Sequence, residues 1–97
     1  MIVGFSITPI GVNESVSPAV AEAVKIVRES GLPNETNAMS TLIEGEWDEV
    51  MAVIKRAADA VAAHSPRVSV EIKADIRQGV EHALTSKVES LENKLSA

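Results

Sequence analysis

Cysteine and tyrosine are absent from the chain, and one phenylalanine and one tryptophan are its only aromatic residues. The lack of cysteine excludes disulfides and thiolate metal sites and fits a reducing compartment, so we expect a cytoplasmic protein. So few aromatic rings remove the platforms on which single-stranded nucleic acid stacks. The net charge is −5, and no cluster of lysine or arginine is present. Because phosphate binding needs a basic surface, we expect no nucleic acid partner.

Long apolar runs are also missing. No stretch approaches the roughly 20 residues of a membrane span, and the start of the chain lacks the basic and apolar regions of a signal peptide. We therefore expect no membrane partner. The 97 residues correspond to a single small domain, 1–97. Because 45% of the residues are hydrophobic and aromatics are rare, the core is expected to consist of valine, isoleucine, leucine and alanine.

Hydrophobic periodicity predicts the element order β-α-β-β-α-β-α. The predicted elements are a strand at 2–11, a helix at 18–30, hairpin strands at 34–37 and 41–44, a helix at 46–64, a strand at 67–77 and a last helix at 86–95. Short connections and right-handed crossovers favour an α+β fold, a ferredoxin-like β-α-β-β-α-β sandwich with an extra C-terminal helix. One face of its four-stranded antiparallel sheet would be bare, which is a common place for a second subunit to pack.

Buried faces are predicted most clearly in the second helix and the last strand. In the helix, apolar side chains recur at helical spacing, at Val50, Val53, Ile54, Ala57 and Val61. In the strand at 67–77, apolar and polar residues alternate, which is typical of a sheet with one buried and one wet face. The first helix is expected to end at Gly31.

Polar side chains crowd the hairpin segment 37–45, and the first strand from Phe5 onwards has the same character. In an otherwise apolar region, such groups face either water or a ligand. We therefore predict that the two segments form one side of a small-molecule site. Its candidate ligand-binding residues are Phe5, Asn37, Met39, Ser40, Thr41 and Glu44.

Several motifs together resemble the small thiamine-binding-protein family, whose members were first grouped as proteins of unknown function. They are Pro9-Ile10-Gly11, Ser17 to Val24, Glu29-Ser30-Gly31-Leu32, Met39-Ser40-Thr41-Leu42-Ile43-Glu44-Gly45, Asp75-Ile76-Arg77 and Lys87-Val88-Glu89-Ser90. The resemblance implies a ferredoxin-like fold, a homo-dimer or a tetramer built as a dimer of dimers, and binding of thiamine or its hydroxymethyl-aminopyrimidine moiety. It implies no catalysis. Ser40 is a departure, because members of the family often carry glycine there.

An aminopyrimidine offers an exocyclic amine and a ring nitrogen, and a carboxylate can accept hydrogen bonds from both, so Glu44 is the leading ligand residue. The alternative is a solvent-facing carboxylate at the entry to the second helix. Asn37, Ser40 and Thr41 offer further hydrogen bonds, or serve only the turn. Phe5 and Met39 either sandwich a flat ring or belong to the core.

Catalytic and metal-binding patterns are not found. His64 and His82 lack partners at metal-ligand spacing, and the sequence has no nucleophile elbow and no glycine-rich phosphate loop. We therefore predict no catalytic residue, no metal and no cofactor. The leading hypothesis is a binding protein for a thiamine-related small molecule. The alternatives are an oligomeric interaction or regulatory module without a ligand and, last, a small dimeric enzyme.

Overall fold

The computed structural model of the chain describes residues 1–11 and 17–77, together with the single positions Leu91 and Leu95. Its elements are β1 (Ile2–Ile10), α1 (Ser17–Arg28), β2 (Asn34–Thr36), β3 (Thr41–Glu44), α2 (Trp47–Ala62) and β4 (Arg67–Asp75). The predicted last helix falls almost entirely outside the described residues. Leu91 and Leu95 are helical, and both side chains are exposed.

The four strands form one antiparallel sheet in the order β2-β3-β1-β4. The register aligns Val3 of β1 with Ile43 of β3 on one side and with Ala74 of β4 on the other. Both helices contribute to a core built on the face that carries Val3 and Ile43. The predicted ferredoxin-like α+β fold is therefore confirmed. The opposite face of the sheet, called the open face below, carries the side chain of Lys73, and Gly4 lies opposite it on the same face.

The second helix forms where its amphipathic pattern predicts. Asp48 and Glu49 lie in its first turn, where carboxylates complement the positive end of the helix dipole. All five residues of the predicted stripe are buried. The first helix ends at Arg28, and Gly31 follows with a φ of 82°, a conformation that glycine adopts without steric cost. That glycine turns the chain towards β2.

The core is centred on β1 and β3, and this overturns the expectation of one fully buried face for the last strand. Val68 is the residue of β4 that packs against the core cluster. Ile72 lies on the helix-facing side but is 45% exposed. The reason is position, since β4 is one of the two edge strands and, among the described residues, has a neighbouring strand on one side only. Apolar and polar residues can alternate along a strand whether or not another layer of the structure covers its apolar side.

Pro9 lies within β1, although proline cannot donate a hydrogen bond to a sheet. The pairing of β1 with β3 ends at Phe5, whereas its pairing with β4 continues to Ile10. At Pro9 the strand therefore has a neighbour on one side only, where proline is tolerated. Among the described residues, no helix is long and apolar enough to cross a membrane.

Candidate functional site

The predicted ligand-binding residues lie on both faces of the sheet. Thr41 is paired with Phe5 and lines a cavity on the helix-facing side. Met39 and Ser40 instead border a concavity on the open face. Phe5 is buried and borders both spaces. The structure therefore brings Met39 and Ser40 together and separates them from Thr41.

Asn37 organises the hairpin turn. Its side-chain oxygen accepts hydrogen bonds from the backbone N–H groups of Met39 at 2.8 Å and Ser40 at 3.0 Å. Its own N–H donates to the carbonyl oxygen of Ser40 at 3.0 Å. This arrangement closes a turn that has no Asn-Gly pair, because an asparagine side chain can imitate a backbone turn. Asn37 thereby sets the position of Met39 and Ser40, and Met39 projects from the surface with 86% of its area exposed.

The cavity on the helix-facing side is small and apolar. It has a volume of about 70 Å³ and is lined mainly by valine and alanine side chains of α1 and α2, including Ala23, Val24 and Ala57. Small-molecule sites usually enclose about 300–1,000 Å³. This cavity is therefore too small for a two-ring ligand unless the helices move apart.

The concavity on the open face is larger, at about 570 Å³. Ile2, Leu42 and Met39 give it an apolar surface. Gly4 lies between them, and its missing side chain deepens the floor, because a β carbon there would come within 3.3 Å of the Leu42 Cδ2 atom. The volume lies in the range of ordinary ligand sites.

Polar groups border the same concavity. Ser6 and Ser40 supply hydroxyl groups, and β4 supplies Glu71, Lys73 and Asp75. These three charged residues alternate along β4, so their side chains share the open face. A site with an apolar floor, two hydroxyls, two carboxylates and one ammonium group suits a flat, polar organic molecule that carries hydrogen-bonding groups.

Glu44 occupies a buried position at one end of the open face. The register places it opposite Ile2, which is in turn opposite Asp75. It is 7% exposed and is the only charged residue classed as buried in the described part of the chain. Both Glu44 and Asp75 make polar or electrostatic interactions within the structure. Glu44 is therefore not a solvent-facing carboxylate, although it does not border the open-face concavity.

Ser6 belongs to the strand segment predicted for the site, but the sequence prediction did not include Gly4 of β1 or Glu71, Lys73 and Asp75 of β4, which also border the concavity. The sequence did indicate these positions, because they lie on the more polar side of the alternating pattern in each strand. The pairing of β1 with β4 joins the polar sides of the two strands into one surface. Within residues 1–11 and 17–77, no group of three or more histidine, aspartate or glutamate side chains is arranged to hold a metal ion.

The sequence profile of the thiamine-binding protein family matches residues 3–92 of the chain. The UPF0045 protein of Mycobacterium bovis is 56% identical over 96 residues, which cover 98% of this chain and 94% of that protein. The UPF0045 protein YqgV of Bacillus subtilis is 35% identical over 100 residues, covering 97% of this chain and 96% of that protein.

Solved structures agree with this relationship. A hypothetical protein of Methanocaldococcus jannaschii superimposes with a TM-score of 0.83 at 33% identity, covering 94% of both chains. A Thermotoga maritima protein, named only as a candidate thiamine biosynthesis/salvage protein, has the same fold with a TM-score of 0.78 at 20% identity and covers 93% of this chain and 96% of its own. The profile match and the long, similar relatives lead to one conclusion: the chain belongs to the thiamine-binding protein family.

Proposed function

We propose that the protein binds thiamine or its hydroxymethyl-aminopyrimidine moiety in the open-face concavity and carries out no chemistry on it. The observation that carries the proposal is the match to the thiamine-binding protein family over residues 3–92. That family is described as one of binding proteins, which supports a non-catalytic role. The concavity supplies the space and the chemistry for such a ligand.

The charges around the concavity suit thiamine. Its thiazolium ring carries a permanent positive charge, and the two carboxylates of Glu71 and Asp75 border the site. The whole chain is also acidic, with a net charge of −5, which favours the approach of a cation. Lys73 lies between the two carboxylates along β4 and offers a donor to a phosphate or hydroxyl group. Removing the charge of Glu71 should therefore lower the affinity for thiamine more than the affinity for its uncharged pyrimidine part.

The pyrimidine ring has a complementary environment in the same space. Ser6 and Ser40 offer hydroxyl groups for its amine and ring nitrogens, and Leu42 offers an apolar surface for the ring. The pairing of Glu44 with the aminopyrimidine remains a prediction. It requires the ligand to reach the end of the face where Glu44 is buried, and Glu44→Gln tests it because glutamine preserves the shape and removes the charge.

We also propose that the protein acts as a homo-oligomer, either a dimer or a dimer of dimers. The open face supports this, because no described helix covers it. Exposed apolar side chains support it as well, since Ile76, Leu91 and Leu95 are 66%, 57% and 73% exposed. The same exposed groups favour the second candidate function, an interaction module that binds no small ligand.

Thermal unfolding in the presence of excess thiamine, its phosphates or the free hydroxymethyl-aminopyrimidine tests the binding proposal. A ligand at about 100 times its Kd adds about 2.7 kcal/mol to the free energy of unfolding. For a domain of this size each kcal/mol raises Tm by about 4–8 °C, so we expect a rise of roughly 10–20 °C. No rise with any of the compounds contradicts the proposal and favours the interaction module.

A matched pair of variants identifies the site. Glu71→Gln removes a carboxylate from the concavity, whereas Glu35→Gln removes an exposed carboxylate on β2 that does not border it. We expect Glu71→Gln to lower the affinity for thiamine more than the affinity for the uncharged pyrimidine. We expect Glu35→Gln to leave both affinities unchanged. Equal effects of the two variants would mean that only the overall charge of the protein matters.

A further inference from the structure

Met39 places a thioether at the border of the open-face concavity, where the residue is open to solvent. It is 86% exposed, more than any other large hydrophobic residue that is exposed in the described part of the chain. It also supplies, with Ile2 and Leu42, the apolar surface of the concavity. A small solute that reaches the concavity therefore also reaches the side chain of Met39.

The other sulfur atoms of the chain are less accessible. Cysteine is absent, so the sulfur atoms belong to three methionines. Met1 and Met51 are partly buried and pack against the core. An oxidant reacts with a thioether through the sulfur lone pair, and neighbouring core side chains shield that lone pair from solution. We therefore expect Met39 to react before the other two methionines, and no thiol competes with it.

The turn that carries Met39 does not depend on the side chain of that residue. The Asn37 side-chain oxygen accepts hydrogen bonds from the backbone N–H groups of Met39 and Ser40, at 2.8 Å and 3.0 Å. The Asn37 backbone N–H donates to the carbonyl oxygen of Ser40 at 3.0 Å. None of these three bonds uses a side-chain atom of Met39. A chemical change at the sulfur therefore leaves the turn in place and keeps the altered group at the border of the concavity.

We propose that Met39 is an oxidation site through which a hydroperoxide regulates ligand binding in the open-face concavity. In the reaction, the sulfur lone pair attacks one oxygen of hydrogen peroxide, and an S–O bond forms while the O–O bond breaks. After proton transfer the products are methionine sulfoxide and water. The sulfur is oxidised by two electrons and the peroxide is reduced by two, so no further reactant is needed.

Oxidation replaces an apolar group of the site with a polar one. Contact between a thioether and an aromatic ring is worth a factor of roughly 2 to 10 in affinity. The sulfoxide oxygen instead accepts hydrogen bonds from water, and a ring that covered it would remove them. Ile2 and Leu42 remain apolar, so the affinity falls without being abolished. This inference rests on the function proposed above, because the change affects binding only if a ring-bearing ligand occupies the concavity.

The oxidation is reversible, which suits regulation. It makes the sulfur a stereocentre and gives two epimers of the sulfoxide, and methionine sulfoxide reductases A and B each return one epimer to the thioether. Met39 lies in an exposed turn, so it is open to such an enzyme as well as to peroxide. The partly buried Met51 offers less access to either.

Limited treatment of the full chain with hydrogen peroxide, followed by peptide mass spectrometry, tests the order of reaction. We expect Met39 to gain one oxygen atom before Met51 is oxidised to a comparable extent. Oxidation of Met51 at least as fast as that of Met39 would overturn the proposal. Circular dichroism verifies that the oxidised chain is folded.

Isothermal titration calorimetry with thiamine, before and after oxidation, tests the consequence for binding. We expect oxidation to raise the dissociation constant of the natural chain roughly 2- to 10-fold, and treatment with both reductases to restore it. Met39→Leu retains an apolar side chain without sulfur, so peroxide should not change the affinity of this variant. Met51→Leu is the matched control and should respond to peroxide as the natural chain does.

Two kinds of outcome distinguish this inference from the proposed function. If the untreated chain binds thiamine but oxidation leaves its affinity unchanged, or lowers the affinity of Met39→Leu equally, the oxidation site is refuted and the proposed function stands. If the untreated chain does not bind thiamine at all, the proposed function fails and this inference fails with it.

Discussion

Gly4 is the position at which the location of the ligand site can be decided. Its backbone φ is outside the left-handed region, so a side chain there causes no backbone strain. A β carbon would lie 3.3 Å from the Leu42 Cδ2 atom, which is the flexible end of a half-buried side chain. Gly4→Leu therefore projects a branched side chain into the floor of the 570 Å³ concavity and should leave the sheet intact.

We expect Gly4→Leu to lower the affinity for thiamine at least about tenfold, which corresponds to about 1.4 kcal/mol of binding free energy. The physical reason is that the added side chain occupies the deepest part of the site and keeps the ligand from the Leu42 surface. Gly4→Ala should bind more nearly like the natural chain and should be stabilised by up to about 0.4–1 kcal/mol, because alanine has less conformational freedom when unfolded. Isothermal titration calorimetry measures the affinities, and urea unfolding measures the stability.

The control for this experiment enlarges a side chain on the other side of the sheet. Val24 lines the helix-facing cavity of about 70 Å³, and leucine at that position reduces the space. We expect Val24→Leu to bind thiamine as the natural chain does. If Gly4→Leu binds normally while Val24→Leu does not, the ligand site lies between the helices and the sheet, and our assignment to the open face is refuted.

Changes at three further positions test the fold and the turn. Ile43→Ala removes a fully buried side chain and should lower the free energy of unfolding by about 2–5 kcal/mol in a urea titration. Gly45→Ala places a β carbon 3.2 Å from the Val50 Cγ2 atom, in a packed junction, and we expect a loss of about 1–3 kcal/mol in the same assay. Asn37→Ala leaves two turn N–H groups without their side-chain acceptor and should cost about 0.5–1.5 kcal/mol of stability. If Asn37 acts only through the turn, Asn37→Asp should preserve both stability and thiamine affinity, as measured by calorimetry.

The α2 stripe and the order of the elements were readable from the sequence because local periodicity and short connections determine them. The partial exposure of Ile72 could not be predicted from the sequence, since it depends on which strand lies at the edge of the sheet and how far the helices extend. The division of Thr41 from Ser40 was also missed. Thr41 begins β3 and lies on the helix-facing side, whereas Ser40 belongs to the turn before the strand and borders the open face. The charged residues that border the concavity lie on β4, and only the pairing of β1 with β4 brings them beside Gly4 and Ser6.

Trp47 determines how the experiments proposed above have to be observed. It is the only tryptophan of the chain, tyrosine is absent, and the residue is 52% exposed at the beginning of α2. Because the indole is already half in water, we expect its emission to change little when the protein unfolds. Ultraviolet signals from the core will also be weak, since Phe5 is the only aromatic ring within it. Unfolding is therefore best followed through backbone circular dichroism or heat capacity, while the fluorescence of Trp47 reports selectively on a partner or ligand that reaches the beginning of α2.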